Sequence, residues 1–260
     1  RLKMIIDSHC HLTYEPISNN IDETIKRANK DGVDYLLTIS TEDKSYDKIL
    51  NVVENYKCVY GTYGIHPHEA KNHLNLKSKD IISRVKKNKK IIGIGETGLD
   101  YFRTPPELRK RQQESFKWHI ELAKKHNKAL VIHDRDSHED VLSVLLEVGA
   151  PEKTIFHCYS GDLAMAKICV DRGYILSFAG TLTFKNAPEL REAVKIVPVD
   201  QLLVETDSPF LAPTPHRGAL NTPAQIANIV RAMADERDVS DAELATALSN
   251  NAERIFGSFE

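Results

Sequence analysis

Two histidines one residue apart, His9 and His11 in D-S-H-C-H-L, close the first apolar run of the chain. Side chains on a strand alternate between faces, so residues i and i+2 point together. His9 and His11 therefore aim one way and Cys10 the other. Two neutral imidazoles on one side are suited to grip a divalent metal. An isolated H-x-H is served equally well by ordinary hydrogen bonds at a strand end, so the rest of the chain decides. Further donors stand at the ends of later apolar runs: Glu96 in G-E-T-G-L-D-Y, His133 before Asp134, His157, and Asp207 in E-T-D-S-P. Packing alone does not ask for imidazole or carboxylate there, because buried polar groups are costly unless paired.

Six donors exceed the three that a catalytic zinc takes while leaving one position open. They suit a pair of divalent ions, with Glu96 shared, His9, His11 and Asp207 on one ion, and His133 and His157 on the other. Two ions ~3.5–4 Å apart activate a water and stabilise both oxygens of an in-line displacement. Asp207 can take the proton of that water. Imidazoles suit zinc or manganese and carboxylates suit magnesium, so the mixed set leaves Mg, Mn and Zn open.

The elements that must carry these residues are legible as an alternation. Apolar runs at 4–6, 33–39, 58–60, 91–94, 129–132, 154–156, 174–178 and 202–204 are separated by amphipathic stretches at 22–30, 43–55, 78–87, 106–126, 138–148, 162–172, 188–196 and 222–236. A closing helix is expected at 241–255. Continuous apolar strands between helices imply a parallel sheet covered on both faces. Eight repeats in 260 residues predict an α/β fold, a (β/α)8 TIM barrel forming a single domain over 1–260. A doubly wound open sheet is the competing arrangement. Barrel enzymes place their chemistry at the C-terminal ends of strands, and the donors fall there on runs one, four, five, six and eight.

Composition narrows the function. A 41% apolar, 28% charged chain fits a soluble globular protein. The net charge of −2 supplies no general field for nucleic acid, so a polyanionic substrate must be held by local groups or ions. Cys10, Cys58, Cys158 and Cys169 are scattered and form no C-x-x-C pair, which points to a reducing cytoplasm. No apolar run is long enough for a membrane span and no signal-peptide pattern is seen. Residues 1–3 precede the only early methionine, Met4, and carry no weight. The Lys-rich stretch from Lys77 to Lys90 reads as a solvated helix face.

The stretches D-S-H-C-H-L, G-I-H-P-H, I-G-E-T-G-L-D-Y, V-I-H-D-R, F-H-C-Y-S-G, F-K-N-A, L-V-E-T-D-S-P-F-L and P-x-P-x-R-G-x-x-N-x-P run in order between residues 7 and 223. Together they resemble the TatD family of metal-dependent hydrolases, among the amidohydrolase-like barrels. The resemblance implies a (β/α)8 barrel and a divalent-metal hydrolase, with deoxyribonuclease and exonuclease activity described for members. It implies the same six metal ligands, His9, His11, Glu96, His133, His157 and Asp207. Glu96 stands where related enzymes often carry a carbamylated lysine. The resemblance also sets His66 against the substrate phosphate; a loop-capping role is the alternative. Where the family commonly shows Lys, this chain has Ala219, which weakens any basic contact there.

Arg103 suits a phosphate clamp, since guanidinium matches phosphate geometry, or a surface ion pair; Arg217 has the same two readings. Glu205, two residues before Asp207, either orients a ligand histidine or belongs to a buried ion pair. Asp100 and Asp134 are further candidates to orient a histidine, and Asp7 reads as structural or as a support behind a ligand. His119 and His126 read as helix-surface residues. The expected function is a two-metal hydrolase with DNA as substrate, with Glu96 and Asp207 central to catalysis and no protein partner required. Its rivals are a hydrolase of a small ester, lactone or amide on the same ions, and a non-catalytic metal-binding protein.

Overall fold

The computed structural model describes residues 5–73 and 78–260. Met4 and Lys77, at the edges of the first apolar run and of the Lys-rich stretch, lie outside the described residues. The chain divides into two compact units, Arg1–Thr38 with His157–Glu260, and Ile39–Phe156.

The first unit begins with β1 (Ile5–Cys10), α1 (Ile21–Lys30) and β2 (Val33–Thr38). The second follows with α2 (Tyr46–Asn55), β3 (Val59–Tyr63), α3 (Ala70–His73), α4 (Ser78–Lys86), β4 (Ile91–Asp100), α5 (Pro106–His126), β5 (Ala129–Arg135), α6 (His138–Val148) and β6 (Thr154–Phe156). The chain returns to the first unit with α7 (Leu163–Asp171), β7 (Ile175–Phe178), α8 (Pro188–Ile196), β8 (Leu202–Val204), α9 (Ile226–Arg237) and α10 (Asp241–Phe256). Every strand is followed by a helix.

In the first unit β1 pairs in parallel with β2, and β7 with β8. In the second, β3, β4, β5 and β6 pair in parallel, each with the next. Strand side chains such as Leu36, Leu37, Leu176 and Leu202 in one unit, and Ile94, Leu130, Ile132 and Ile155 in the other, are buried. Parallel strands packed on both faces read as continuous apolar runs for this reason.

Helix ends follow local chemistry. The Asp162 carboxylate accepts from the Met165 N–H and caps α7; the Ser240 hydroxyl accepts from the Glu243 N–H and caps α10. Pro106 occupies the first position of α5, where its missing N–H costs nothing, and Asn127 ends the helix in the left-handed region. In α4 and beyond, Lys86, Lys87 and Lys89 are exposed, as a solvated face requires. Lys90 instead donates to the carbonyls of Val53 and Tyr56.

Three strands correct the expected boundaries in an informative way. β1 and β4 run on past their apolar residues, through His9 to Cys10 and through Glu96 to Asp100. β5 likewise continues through His133 to Arg135. These donors therefore lie within the strands, His9 and Glu96 where the registers of β1 and β4 shift and His133 opposite Gly98.

Candidate metal centre

In the first unit the site is built where β1 meets the segment after β8. The Asp207 N–H donates to the His9 carbonyl, and the His11 N–H to the Ser208 carbonyl, both at 2.8 Å. This pairing brings the Asp207 carboxylate against both imidazoles. Its Oδ1 lies 3.4 Å from His9 Nε2 and 3.2 Å from His11 Nε2. The His9 ring stacks on His157 with centroids 3.8 Å apart. Cys10 points away, its thiol directed at the Leu37 carbonyl.

The carboxylates behind the imidazoles have distinct duties. Glu205 Oε2 is 3.0 Å from His157 Nδ1, and its Oε1 accepts from the Cys158 N–H at 2.7 Å. A proton held on Nδ1 puts the lone pair of His157 on Nε2, the usual arrangement behind a metal-bound histidine. Asp7 accepts from the Thr206 N–H, the Thr206 hydroxyl and the His9 N–H, tying β1 to the segment that carries Asp207. Burial pushes the Asp7 carboxyl up to about 7 against those hydrogen bonds. Burial would also raise Asp207, but the hydrogen bond from His11 and the imidazoles of His157, His9 and His11 outweigh it, leaving this carboxyl below its ordinary value.

Asp207 itself adopts φ 53°, a conformation most non-glycine residues avoid. Asn221 holds it there: its side-chain N–H groups reach the carbonyls of Thr206 at 2.8 Å and Phe210 at 2.6 Å. The sequence motif contained Asn221, but only the fold shows that it braces the acidic loop.

In the second unit Glu96 and His133 come together from the adjacent strands β4 and β5. His133 Nδ1 is 2.9 Å from Glu96 Oε1, and its Nε2 is 2.8 Å from Asp100 Oδ2. Asp100 thus orients His133, as one sequence reading had it, whereas Asp134 is engaged by Ser137 and His138. His66 Nε2 stands 3.6 Å from the same Glu96 oxygen, and His66 Nδ1 accepts from the His68 N–H. The latter bond is the loop-capping role, and it coexists with a ring directed at the acidic group. Burial holds His66 down at about 3, helped by neighbouring His133 and opposed by Glu96. Burial alone would raise Asp100, but the His133 hydrogen bond and the surrounding imidazoles bring it below its ordinary value. Gly64, which opens G-I-H-P-H, must be glycine because a Cβ there would lie 2.3 Å from the Gly95 backbone.

Arg103 is exposed, with its guanidinium over the Phe102 ring, and Arg217 lies similarly over Phe184. His68 is largely exposed, its Nε2 3.4 Å from Asp100.

Donor spacing tests whether these groups fit a metal. Bonds of ~2.0–2.2 Å separate neighbouring ligand atoms by roughly 2.8–3.6 Å, from octahedral to tetrahedral geometry. Asp207 Oδ1 has this spacing to Nε2 of His9 and of His11, and Glu96 Oε1 has it to His66 Nε2 and His133 Nδ1. Within each unit a set of buried or half-buried donors, His9, His157, Glu205 and Asp207 in one and His66, Asp100 and His133 in the other, lies within 4.8 Å of one another. The residues fit divalent ions.

His119 corrects an expectation. It is fully buried rather than on the helix surface. Its Nδ1 donates to the Ser115 carbonyl at 2.7 Å, and its Nε2 accepts from the Ile65 N–H at 3.0 Å, fixing the residue before His66. The stripe Gln112, Phe116, His119, Ala123 on α5 carried the signal, since a 3–4 spacing marks a buried helix face. Burial lowers His119 to about 3, helped by nearby His73. The unfolded chain titrates near pH ~6.5, so below that pH it takes up a proton the folded chain refuses. The stabilisation is complete above this pH and is lost as pH falls towards 3. The stability difference between the parent and His119→Gln should therefore shrink by about 1.4 kcal/mol between pH 7.5 and 5.5, read from urea unfolding. A difference constant with pH would remove this assignment.

Alternating strands and helices with histidine–carboxylate groups at strand ends define a metal-dependent hydrolase of the (β/α)8 barrel class. The family model described as TatD related DNase matches residues 6–257, and the chain belongs to that family. An uncharacterized metal-dependent hydrolase TatD from Mycobacterium tuberculosis is 38% identical, covering 97% of this chain and 98% of its own. The uncharacterized metal-dependent hydrolase YcfH of Escherichia coli is 36% identical, covering 97% and 95%. Among solved structures, the TatD homologue YjjV of Escherichia coli matches with a TM-score of 0.88 at 29% identity, covering 98% of both chains. Among the described residues no helix is long and apolar enough to cross a membrane.

Proposed function

We propose that the protein is a cytoplasmic deoxyribonuclease, acting as a single chain and cleaving phosphodiester bonds from DNA ends. In this reading two divalent ions, Mg, Mn or Zn, are held by His9, His11, Glu96, His133, His157 and Asp207. The observation that carries it is the convergence of His9 and His11 on one Asp207 oxygen at ligand-to-ligand spacing, in a member of a family described as TatD related DNase. Divalent ions bound there would polarise the phosphate and make a water more acidic. Asp207 accepts the proton of the attacking water, and Glu96 on β4 and His133 on β5 would hold an ion side by side. Asp100 and Glu205 keep the rings of His133 and His157 in the metal-ready tautomer. His66 and Arg103 hold the phosphate, His66 as a neutral imidazole and Arg103 as the local positive charge on a chain of net charge −2. A cavity of about 390 Å³ is lined by Cys158, Tyr159, Ser160, Thr181 and Asn186, in the segments that follow His157 and β7.

The test is an assay on end-labelled single- and double-stranded DNA. Chelated protein should be inactive, and reloading with Mg²⁺, Mn²⁺ or Zn²⁺ should restore stepwise release of mononucleotides. Turnover of simple esters or lactones without DNA cleavage would transfer the site to small substrates. Silence on every substrate after reloading would leave a metal-binding protein.

A further inference from the structure

The second unit carries three arginines whose guanidinium groups rest on aromatic rings. Arg135 lies 3.8 Å and Arg103 4.8 Å from the Phe102 ring centre, and Arg109 lies 4.5 Å from that of Tyr101. Among the described residues none of the three forms an ion pair with a carboxylate. A guanidinium laid flat on a ring uses its face, while its N–H donors lie in the plane and stay available. Arg135 and Arg103 are exposed, so those donors face solvent.

The platform is fixed to the metal-ligand group. Asp100 Oδ1 accepts from the Phe102 N–H at 3.1 Å, while Oδ2 of the same carboxylate holds His133. The Tyr101 N–H donates to the Arg135 carbonyl at 2.8 Å, and the Thr104 hydroxyl to the Asp100 carbonyl at 2.7 Å. Arg135 ends β5 two residues after His133, on the same face by strand alternation. Two residues advance ~6.6 Å along a strand, so a phosphate held at His133 leaves Arg135 to a neighbouring phosphate of the same chain. These bonds fix the backbone that carries Phe102 and Arg103, so the two guanidinium groups keep their place relative to His133.

We infer that Arg135, beside Arg103 on the shared Phe102 platform, binds the phosphate next to the one that His66 and Arg103 hold in single-stranded DNA. This rests on the phosphodiesterase reading above and gives its substrate a length. The experiment measures binding of a short labelled phosphorothioate oligothymidylate to the metal-loaded protein by fluorescence anisotropy, across a salt series. Arg135→Ala should weaken binding about tenfold and flatten the slope of log Kd against log salt by about 0.7, the share of one phosphate contact on a single strand. Arg135→Lys should keep the slope and lose part of the affinity, because it retains charge without the planar stack. Arg103→Ala should act in the same direction. Affinity and slope equal to the parent in both alanine variants would overturn the inference. Cleavage of the ordinary phosphodiester oligonucleotide is followed separately: cleavage without a binding effect removes only the arginine platform, and a binding effect without cleavage removes only the nuclease reading.

Discussion

Asp207→Asn should emerge from purification with less metal than the parent and with phosphodiester hydrolysis reduced by a factor of ~10²–10⁴, the range for loss of a positioned proton acceptor. The substitution keeps the shape of the side chain and changes its chemistry. The two imidazoles that now face one carboxylate oxygen, at 3.4 and 3.2 Å, would face a neutral amide. An amide is a poorer partner for a cation and no proton acceptor. Metal content by mass spectrometry separates the two losses. A variant that keeps its metal and loses its rate has lost the proton acceptor, and one that loses both has lost a ligand. Glu96→Ala should lose both, because it removes the oxygen shared by His66 and His133. Melting curves close to the parent's would show that neither change acts by unfolding. If both variants retain parental metal content and parental rate, the centre has been misassigned.

The second large effect concerns the backbone that sets the spacing of Glu96 and His133. Gly98 of β4 is paired with His133 of β5 and has φ +135°. A Cβ there would lie 2.0 Å from the His133 carbonyl oxygen. Neither atom is the end of a flexible side chain, so the strands must part or the chain must change conformation. Backbone strain of ~1–3 kcal/mol and overpacking of similar size add, and Gly98→Ala should cost about 2–6 kcal/mol. Urea or thermal unfolding measures this directly. Gly173→Ala is the comparison: φ is +75° but nothing lies within 4 Å of the added carbon, so only the strain of ~1–3 kcal/mol applies. Gly98→Ala no more costly than Gly173→Ala would show that β4 and β5 do not press together as described.

Much of this protein was legible in one dimension because residue type and strand period are local properties. H-x-H with a two-residue period placed His9 and His11 on one side and Cys10 on the other, and the thiol indeed turns to Leu37. Apolar runs separated by amphipathic stretches determined the (β/α)8 class, since parallel strands must be greasy on both faces. The same signal misplaced strand ends. Hydropathy stops at Ile94, whereas the ladder of β4 continues to Asp100, and a ladder tolerates a polar side chain that a hydropathy pattern does not recognise.

Tertiary structure alone decided which group serves which ring. A histidine has two nitrogens, and nothing local says what accepts from the second. Asp100 holds His133 across 33 residues and Glu205 holds His157 across 48. Asp134, adjacent to His133 in sequence, faces elsewhere because neighbours on a strand point to opposite sides. His119 was hidden for the same reason. Its partner, the N–H of Ile65, lies 54 residues away, and burial with a distant hydrogen bond is a property of the folded contact, not of the helix that carries the ring.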